Sequence, residues 1–306
     1  VGHDAGRNDQ GESAVAIGDA AGRTGQNNYA IAMGYWAGYN FQGVSSVSVG
    51  AFAGCGDQGD YAVAVGYLAG RTAQGNQGIA IGEVAGSGSQ GVASVAIGHQ
   101  AARNAQGTRS VAIGYLAGSA DQAESSIAIG DQAATSSQAT RSVAIGYSAG
   151  NNLQGANSVA IGDQAGAIDQ GFQSVAIGYV TAETSQGAYA TAIGGLAGFT
   201  TQGNDALAVG YGAGRNNQHH RSIVLNASGL TFNSNGVDRL FIKPIRLNSG
   251  ALSWSSSSGE VYANTSDDRV KHNETYIRNA LRTIMKLKPQ TYDKSPDLES
   301  NTYIER

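Results

Sequence analysis

The chain has 306 residues, of which 45 are glycine and only three are proline, and its formal net charge is −4 at pH 7. Residues 1–221 contain no Lys and no Pro, and they hold eight Arg against fourteen Asp and Glu, which makes this region acidic by six charges. A surface of this charge disfavours binding to nucleic acid or to an anionic membrane. No apolar run reaches the roughly 18 to 20 residues that a membrane-spanning helix needs, so we expect no membrane insertion.

Glycine recurs every sixteen residues through the first two thirds of the chain, at Gly2, Gly18, Gly34, Gly50, Gly66, Gly82, Gly98, Gly114, Gly130, Gly146, Gly162, Gly178, Gly194 and Gly210. Glutamine follows each of these glycines eight residues later, at Gln10, Gln26, Gln42, Gln58, Gln74, Gln90, Gln106, Gln122, Gln138, Gln154, Gln170, Gln186, Gln202 and Gln218. A period this strict predicts a solenoid of fourteen stacked coils, because a repeat array grows in one dimension.

One repeat is illustrated by residues 110–122, which read Ser-Val-Ala-Ile-Gly-Tyr-Leu-Ala-Gly-Ser-Ala-Asp-Gln. The pattern predicts a short strand, a glycine corner, a second glycine and a polar turn. Along the strand, Val111 and Ile113 point to one face and Ala112 to the other. Both faces are apolar, so one fills the coil interior and the other packs against copies of the same chain. A sixteen-residue coil buries little apolar area, and we therefore expect an obligate homo-oligomer.

The recurring glutamine has two interpretations. Identical amides one strand spacing apart can form a hydrogen-bonded ladder along the stack. Alternatively, the residue caps a turn, since ten of the fourteen glutamines are followed by glycine. The positions just before glutamine vary freely, so these turns are predicted to form the outer surface where recognition occurs. The only cysteine, Cys55, lies in such a turn and is expected to be inert.

The motif Ser-Val-Ala-Ile-Gly followed by Ala-Gly resembles the head of trimeric autotransporter adhesins, the YadA-like left-handed parallel β-roll. The resemblance covers residues 1 to about 218 and defines a head or shaft domain at 1–221. It implies an all-β fold, three parallel chains around a threefold axis, and a role in attachment to surfaces. The same motif occurs in viral and phage fibres.

Beyond His219 the repeat stops, and residues 222–265 are predicted to form a β-rich neck with a hairpin between Ala251–Trp254 and Glu260–Tyr262. The adjacent His219 and His220 are not expected to bind a metal, because their side chains point apart. Residues 266–306 are charged and predict a short α-helical segment, with one apolar helical face formed by Tyr276, Ile277, Ala280, Leu281, Ile284, Met285 and Leu287.

The segment Ser-Asp-Asp-Arg-Val-Lys at 266–271 admits two interpretations. By residue chemistry alone, Ser266 or Asp267 is a helix N-cap and Lys271 is a solvated charge. The segment also resembles the opening of the intramolecular chaperone domain of endosialidase-type phage tail spikes, a likeness that continues through residues 284–292. That resemblance implies a truncated self-cleaving chaperone at 266–306. Ser266 would be the nucleophile and Lys271 its base, cutting the chain after Thr265.

Together these features predict a homotrimeric fibre on a virion surface that attaches to a host receptor or glycan, contacts other virion proteins and needs no cofactor or metal. A purely structural virion spike and a bacterial cell-surface adhesin are the alternatives. A glycan-cleaving enzyme is disfavoured because Asp and Glu form no recurring pair. Calcium-binding repeats are disfavoured because Asp19, Asp131 and Asp163 recur too rarely.

Overall fold

A computed structural model of the chain describes residues 1–244 together with 251–254 and 261–264. Within Val1–Ile245, which forms one compact unit, the chain winds into a parallel β-solenoid of about 14 turns. Each repeat makes one coil, because Val111 pairs with Val95 in the coil before it and with Ile127 in the coil after it. The prediction of a stacked all-β solenoid is confirmed, and no helix occurs in the part of the chain described.

One wall of the solenoid is a 15-stranded parallel sheet built from the Val-Ala-Ile segments, which we call the aliphatic sheet. Its strands, in order along the stack, are Val15–Ile17, Ile31–Met33, Val47–Val49, Val63–Val65, Ile79–Ile81, Val95–Ile97, Val111–Ile113, Ile127–Ile129, Val143–Ile145, Val159–Ile161, Val175–Ile177, Thr191–Ile193, Leu207–Val209, Ile223–Asn226 and Leu240–Lys243. Branched side chains suit this short, repeated pleat.

The other wall, which we call the glutamine sheet, ends each of its strands on a repeated glutamine. Its first two strands are Thr24–Gln26 and Asn40–Gln42, and nine more follow as Ser89–Gln90, Ala105–Gln106, Ala120–Gln122, Ser136–Gln138, Asn152–Gln154, Ile168–Gln170, Thr184–Gln186, Thr200–Gln202 and Asn216–Gln218. Single-residue parallel bridges at Gln58 and Gln74 join the two groups. The described wall is therefore continuous, although it thins to bridges in two coils.

The interior of each coil is filled by alanine and glutamine. Ala112 and Ala117 are fully buried, whereas Val111 and Ile113 lie on the outward side and remain partly exposed. The sequence left open which strand face is internal, and the structure places the alanine face inside. The glutamine amide crosses the same narrow interior, which explains why only the smallest apolar side chain fits beside it.

The corner glycine is required by both conformation and space. Gly66 has φ +127°, and a Cβ built on it would lie 2.6 Å from the carbonyl oxygen of Gly82 in the next coil. The second glycine of the motif differs, because Gly70 has φ +52°, a conformation that alanine adopts at the same position in other coils. Those residues are Ala102, Ala134 and Ala182, with φ values of 46°, 48° and 47°.

In the coils where serine opens the motif, its side chain closes the turn before the strand. Ser110 Oγ donates to the carbonyl oxygen of Gly107 at 2.6 Å, and Ser126 Oγ donates to that of Ala123 at the same distance. Both serines are fully buried. Each buried hydroxyl therefore has a hydrogen-bond partner in the turn.

The aliphatic sheet continues past residue 221 through Ile223–Asn226 and Leu240–Lys243. Phe232 and Phe241 pack against the end of the alanine core, with their ring centroids 6.2 Å apart in a T-shaped arrangement. These two rings cover the apolar end of the stack, as terminal caps of repeat proteins do.

A second unit comprises Arg246–Arg306. Within it, Ala251–Trp254 and Val261–Asn264 pair as antiparallel strands, which confirms the predicted hairpin. The helix predicted in residues 266–306 lies outside the described residues. Among the residues that the structure does describe, we find no helix long and apolar enough to cross a membrane.

Candidate functional site

The outward side chains of the aliphatic sheet form a stripe that we call the aliphatic face. It consists of the first and third residues of each three-residue strand, stacked at the strand spacing of about 4.8 Å. Five examples lie between 36% and 43% exposed in the single chain: Val15, Ile17, Met33, Ile161 and Ile193. A long apolar stripe of this kind is typical of a protein contact surface.

Tyrosine is frequent at the position that follows the corner glycine. Six tyrosines occupy it and are each between 45% and 63% exposed: Tyr35, Tyr67, Tyr115, Tyr147, Tyr179 and Tyr211. Asp131 and Asp163 occupy the same position in intervening coils. Because these carboxylates would be costly to bury unpaired, this column is better suited to the rim of a contact surface than to its centre.

The residue just before each glutamine defines what we call the outer face, on the opposite wall from the aliphatic sheet. Its members are exposed and chemically diverse, as Asp121 and Leu153 illustrate. The sequence pattern predicts turns at these positions. The structure instead places most of them in short strands. In most of these strands the residue before glutamine has a positive φ, such as 52° at Asp121, although Ser89 and Ala105 do not.

A recess lies on the outer face beside Phe41, with a volume of about 440 Å³. We call it the Phe41 groove. Asp57 and Asp60 line it together with Asn27 and Asn76. It is open to solvent and combines one aromatic ring with several hydrogen-bonding groups.

Charged groups on the described surface are mostly solvated. Arg221 donates to both carboxylate oxygens of Asp238, from Nε at 2.5 Å and from Nη2 at 3.0 Å. These hydrogen bonds lower the pKa of the Asp238 carboxyl and raise the pKa of Arg221. Burial raises the pKa of the Cys55 thiol, which disfavours the reactive thiolate and agrees with an inert role.

The paired histidines make contacts within the fold. His219 Nδ1 lies 2.9 Å from Ser234 Oγ, and His220 Nδ1 accepts a hydrogen bond from the Asn204 amide at 2.9 Å. Across the described residues, no group of three or more His, Cys, Asp or Glu side chains could hold a metal ion. The residues proposed for self-cleavage, Thr265, Ser266 and Lys271, lie outside the part that the structure describes.

The coil geometry, the amide-filled interior and the outward aliphatic face define a parallel β-solenoid repeat protein. Residues 89–117, 122–149 and 154–181 match the YadA head domain repeat, and each matched segment covers most of two successive coils. These three segments are therefore similar to repeats of YadA head domains. No curated protein and no solved structure matches the chain.

Sequence reasoning did not identify the Phe41 groove. Two deviations from the repeat could have indicated it. Among the fourteen residues that precede the repeated glutamines, Phe41 is the only aromatic residue and Gly25, one coil earlier, is the only glycine. Their importance depends on their contact across the coils, which the aligned repeats do not reveal.

Proposed function

We propose that the chain is the head or shaft of a homotrimeric attachment fibre, in which the aliphatic face joins three copies and the outer face contacts a host surface. The aliphatic face carries the proposal, because its partly exposed branched side chains run along a coil too thin to bury them. Three is the expected number of copies, since YadA head domains are typically homotrimeric.

The arrangement of the two walls supports this division of roles. Association through the aliphatic face removes apolar surface from water at about 25 cal/mol per Å². The glutamine wall then remains outward, so its variable residues stay accessible in the assembly. The same short repeat thereby supplies a uniform aliphatic face for association and a variable outer face for recognition.

We further propose a virion as the location, with a host-cell receptor or glycan and other virion proteins as partners. The support is the C-terminal resemblance, which joins a self-cleaving chaperone at Ser266 and Lys271 to the repeats. A bacterial surface adhesin is the second candidate, which the YadA head match favours.

The proposal is tested on the purified chain by native mass spectrometry and by flow cytometry of the labelled protein on a panel of bacterial and animal cells. A trimer that binds at least one cell type supports an attachment fibre. A trimer that binds none supports the purely structural spike instead. A stable monomer would contradict the assembly on which both functions depend.

A further inference from the structure

The Phe41 groove has an unusual construction among the coils. The Phe41 side chain is 63% exposed, although a ring of this size is normally at least partly covered. Its position is set by Gly25 in the preceding coil, because a Cβ on Gly25 would lie 3.1 Å from Cδ1 and 3.6 Å from Cε1 of Phe41. Glycine at this point therefore leaves space that the ring edge occupies.

The backbone next to Phe41 also departs from the repeat. Between Asn40–Gln42 and Ser89–Gln90, the glutamine sheet is reduced to single-residue bridges at Gln58 and Gln74. The residue before Gln58, Asp57, lacks the positive φ that Asp121 has, a difference it shares with Ser89 and Ala105. The groove lies over these two thinned coils.

The polar groups of the groove are held in place by the backbone. Asp60 Oδ1 accepts a hydrogen bond from the Val44 amide at 2.8 Å, and the Asp60 amide donates to Asn76 Oδ1 at 3.2 Å. Each of the two side chains is therefore held through its Oδ1 atom by a backbone N–H group. Among the described residues, neither Oδ2 of Asp60 nor Nδ2 of Asn76 has another hydrogen-bond partner, so both are available to a ligand and have little side-chain entropy to lose on binding.

We propose that the Phe41 groove is a binding subsite for a neutral hexopyranose unit of a surface glycan, an inference that deepens the proposed attachment function and rests on it. The apolar C–H face of a pyranose ring packs on the exposed phenyl ring. Its hydroxyls donate to the carboxylates of Asp57 and Asp60 and exchange hydrogen bonds with the amides of Asn27 and Asn76.

The charge and size of the groove select this ligand class. Its lining contains two Asp and neither Lys nor Arg, so an acidic sugar would meet repulsion. A metal ion is disfavoured, because one oxygen of Asp60 is already engaged and the described residues hold no group of three acidic or imidazole ligands there. The volume of about 440 Å³ lies within the range of about 300–1,000 Å³ that small-molecule sites occupy.

The position of the groove suits a fibre. It lies on the outer face, so association through the aliphatic face leaves it open. A homotrimer carries three identical copies, and simultaneous engagement strengthens a weak single-site interaction by several orders of magnitude.

Saturation-transfer difference NMR on the full chain tests the subsite, with methyl β-D-galactopyranoside, methyl β-D-glucopyranoside and methyl α-D-mannopyranoside as probes. At least one neutral probe should receive saturation, and N-acetylneuraminic acid should not displace it. Phe41→Ala should raise the Kd about tenfold, which corresponds to about 1.4 kcal/mol. Asp57→Asn, which keeps the shape but removes the charge, should weaken binding to a smaller degree.

Leu153→Ala is the matched control, because Leu153 occupies the same phase of the repeat, is 52% exposed and lies far from the groove. Saturation transfer that is absent for every neutral probe, or that is unchanged in Phe41→Ala, would overturn the subsite. Cell binding by the trimer that survives Phe41→Ala would overturn the subsite while leaving the attachment function intact. Sugar binding without cell binding would overturn the attachment function while leaving the subsite intact.

Discussion

Gln138 Nε2 donates a hydrogen bond to Oε1 of Gln154 at 3.0 Å, and the two residues occupy the same position in adjacent coils. The contact is one step of an amide ladder that runs unbroken from Gln106 to Gln218, with donor–acceptor distances of 3.0 to 3.2 Å. The ladder interpretation of the repeated glutamine is therefore confirmed over this part of the chain.

The same amides also join the two walls of each coil. Gln138 Nε2 donates to the carbonyl oxygen of Ile127 at 2.8 Å, and each repeated glutamine from Gln26 to Gln218 makes the equivalent bond. Near the N-terminal end the ladder is interrupted, and Ser48 Oγ donates to Gln58 Oε1 at 2.8 Å where other coils have alanine. The glutamine thus acts as a polar core residue.

Replacing Gln138 by glutamate should destabilise the fold in a pH-dependent way. A carboxylate cannot donate to Ile127 or to Gln154, and it is buried beside their oxygens, which raises its pKa in the folded state. The loss should be about 3 kcal/mol or more at neutral pH. Because protonation restores a donor, the loss should shrink as the pH falls below the raised pKa. Thermal unfolding from about pH 7 to about pH 4 measures this, with wild type at each pH as the reference.

Gln173→Glu makes the same chemical change on the exposed surface and is the control for Gln138→Glu. Its effect should be within about 0.5 kcal/mol of zero at every pH tested. A similar unfolding temperature for both variants, or a Gln138→Glu loss that does not change with pH, would contradict the role of the buried amide.

The two glycines of the repeat should respond differently to alanine. Gly66→Ala places a Cβ at φ +127° against the carbonyl oxygen of Gly82, so we expect a loss above about 3 kcal/mol or failure to fold. Gly70→Ala adopts the left-handed conformation that Ala102 already occupies. Its Cβ would lie 2.6 Å from Gln74 Oε1, which is a side-chain atom and can shift, so the variant should lose only about 1 kcal/mol of stability. The unfolding temperatures of the two variants measure this difference. Equal losses would refute the claim that the two glycines have different requirements.

The solenoid was predictable because it depends on spacing. Glycine and glutamine in two fixed phases specify a coil with two corners, and the in-register pairing of Val111 with Ile127 follows from that period. Which strand face is internal was not predictable, since both faces are apolar. The answer depends on the width of the coil, where the Gln122 amide reaches the opposite wall and leaves space only for Ala112.

The candidate site was predictable only in outline. The variable positions before glutamine identified the outer face, but the Phe41 groove depends on two further features. One is the contact of the Phe41 ring with Gly25, and the other is the loss of strand pairing around Asp57. Both features are contacts between residues of different coils, and the sequence of a single repeat does not show such contacts.

Charge introduced on the aliphatic face should abolish association. In a triple variant with Ile129→Lys, Ile145→Lys and Ile161→Lys, each added ammonium would have to lose water at the contact, so we expect monomers. The variant should still fold as a monomer, because the three lysines are then exposed to water. Sedimentation velocity measures the change.

The control triple carries Ser137→Lys, Leu153→Lys and Asp169→Lys, at the outer face of the same three coils. It adds the same three lysines, and it should remain associated. Dissociation of both triples would indicate a general effect of charge, and association of both would remove the aliphatic face as the contact surface.

Self-cleavage should depend on Ser266, on Lys271 and on assembly. Ser266 needs a base to remove its hydroxyl proton, and a lysine serves as one only when burial or nearby cations lower its pKa. In a chain that carries the complete chaperone domain, we expect a fragment ending at Thr265, and we expect Ser266→Ala and Lys271→Met to remain whole. Asp267→Asn should still be cut. The monomeric aliphatic-face triple should remain uncut, because it lacks the burial that assembly provides. Intact-mass measurement under denaturing conditions resolves these outcomes. Cleavage of Ser266→Ala, or an uncut trimer of the otherwise unchanged chain with the complete chaperone domain, would refute the dyad.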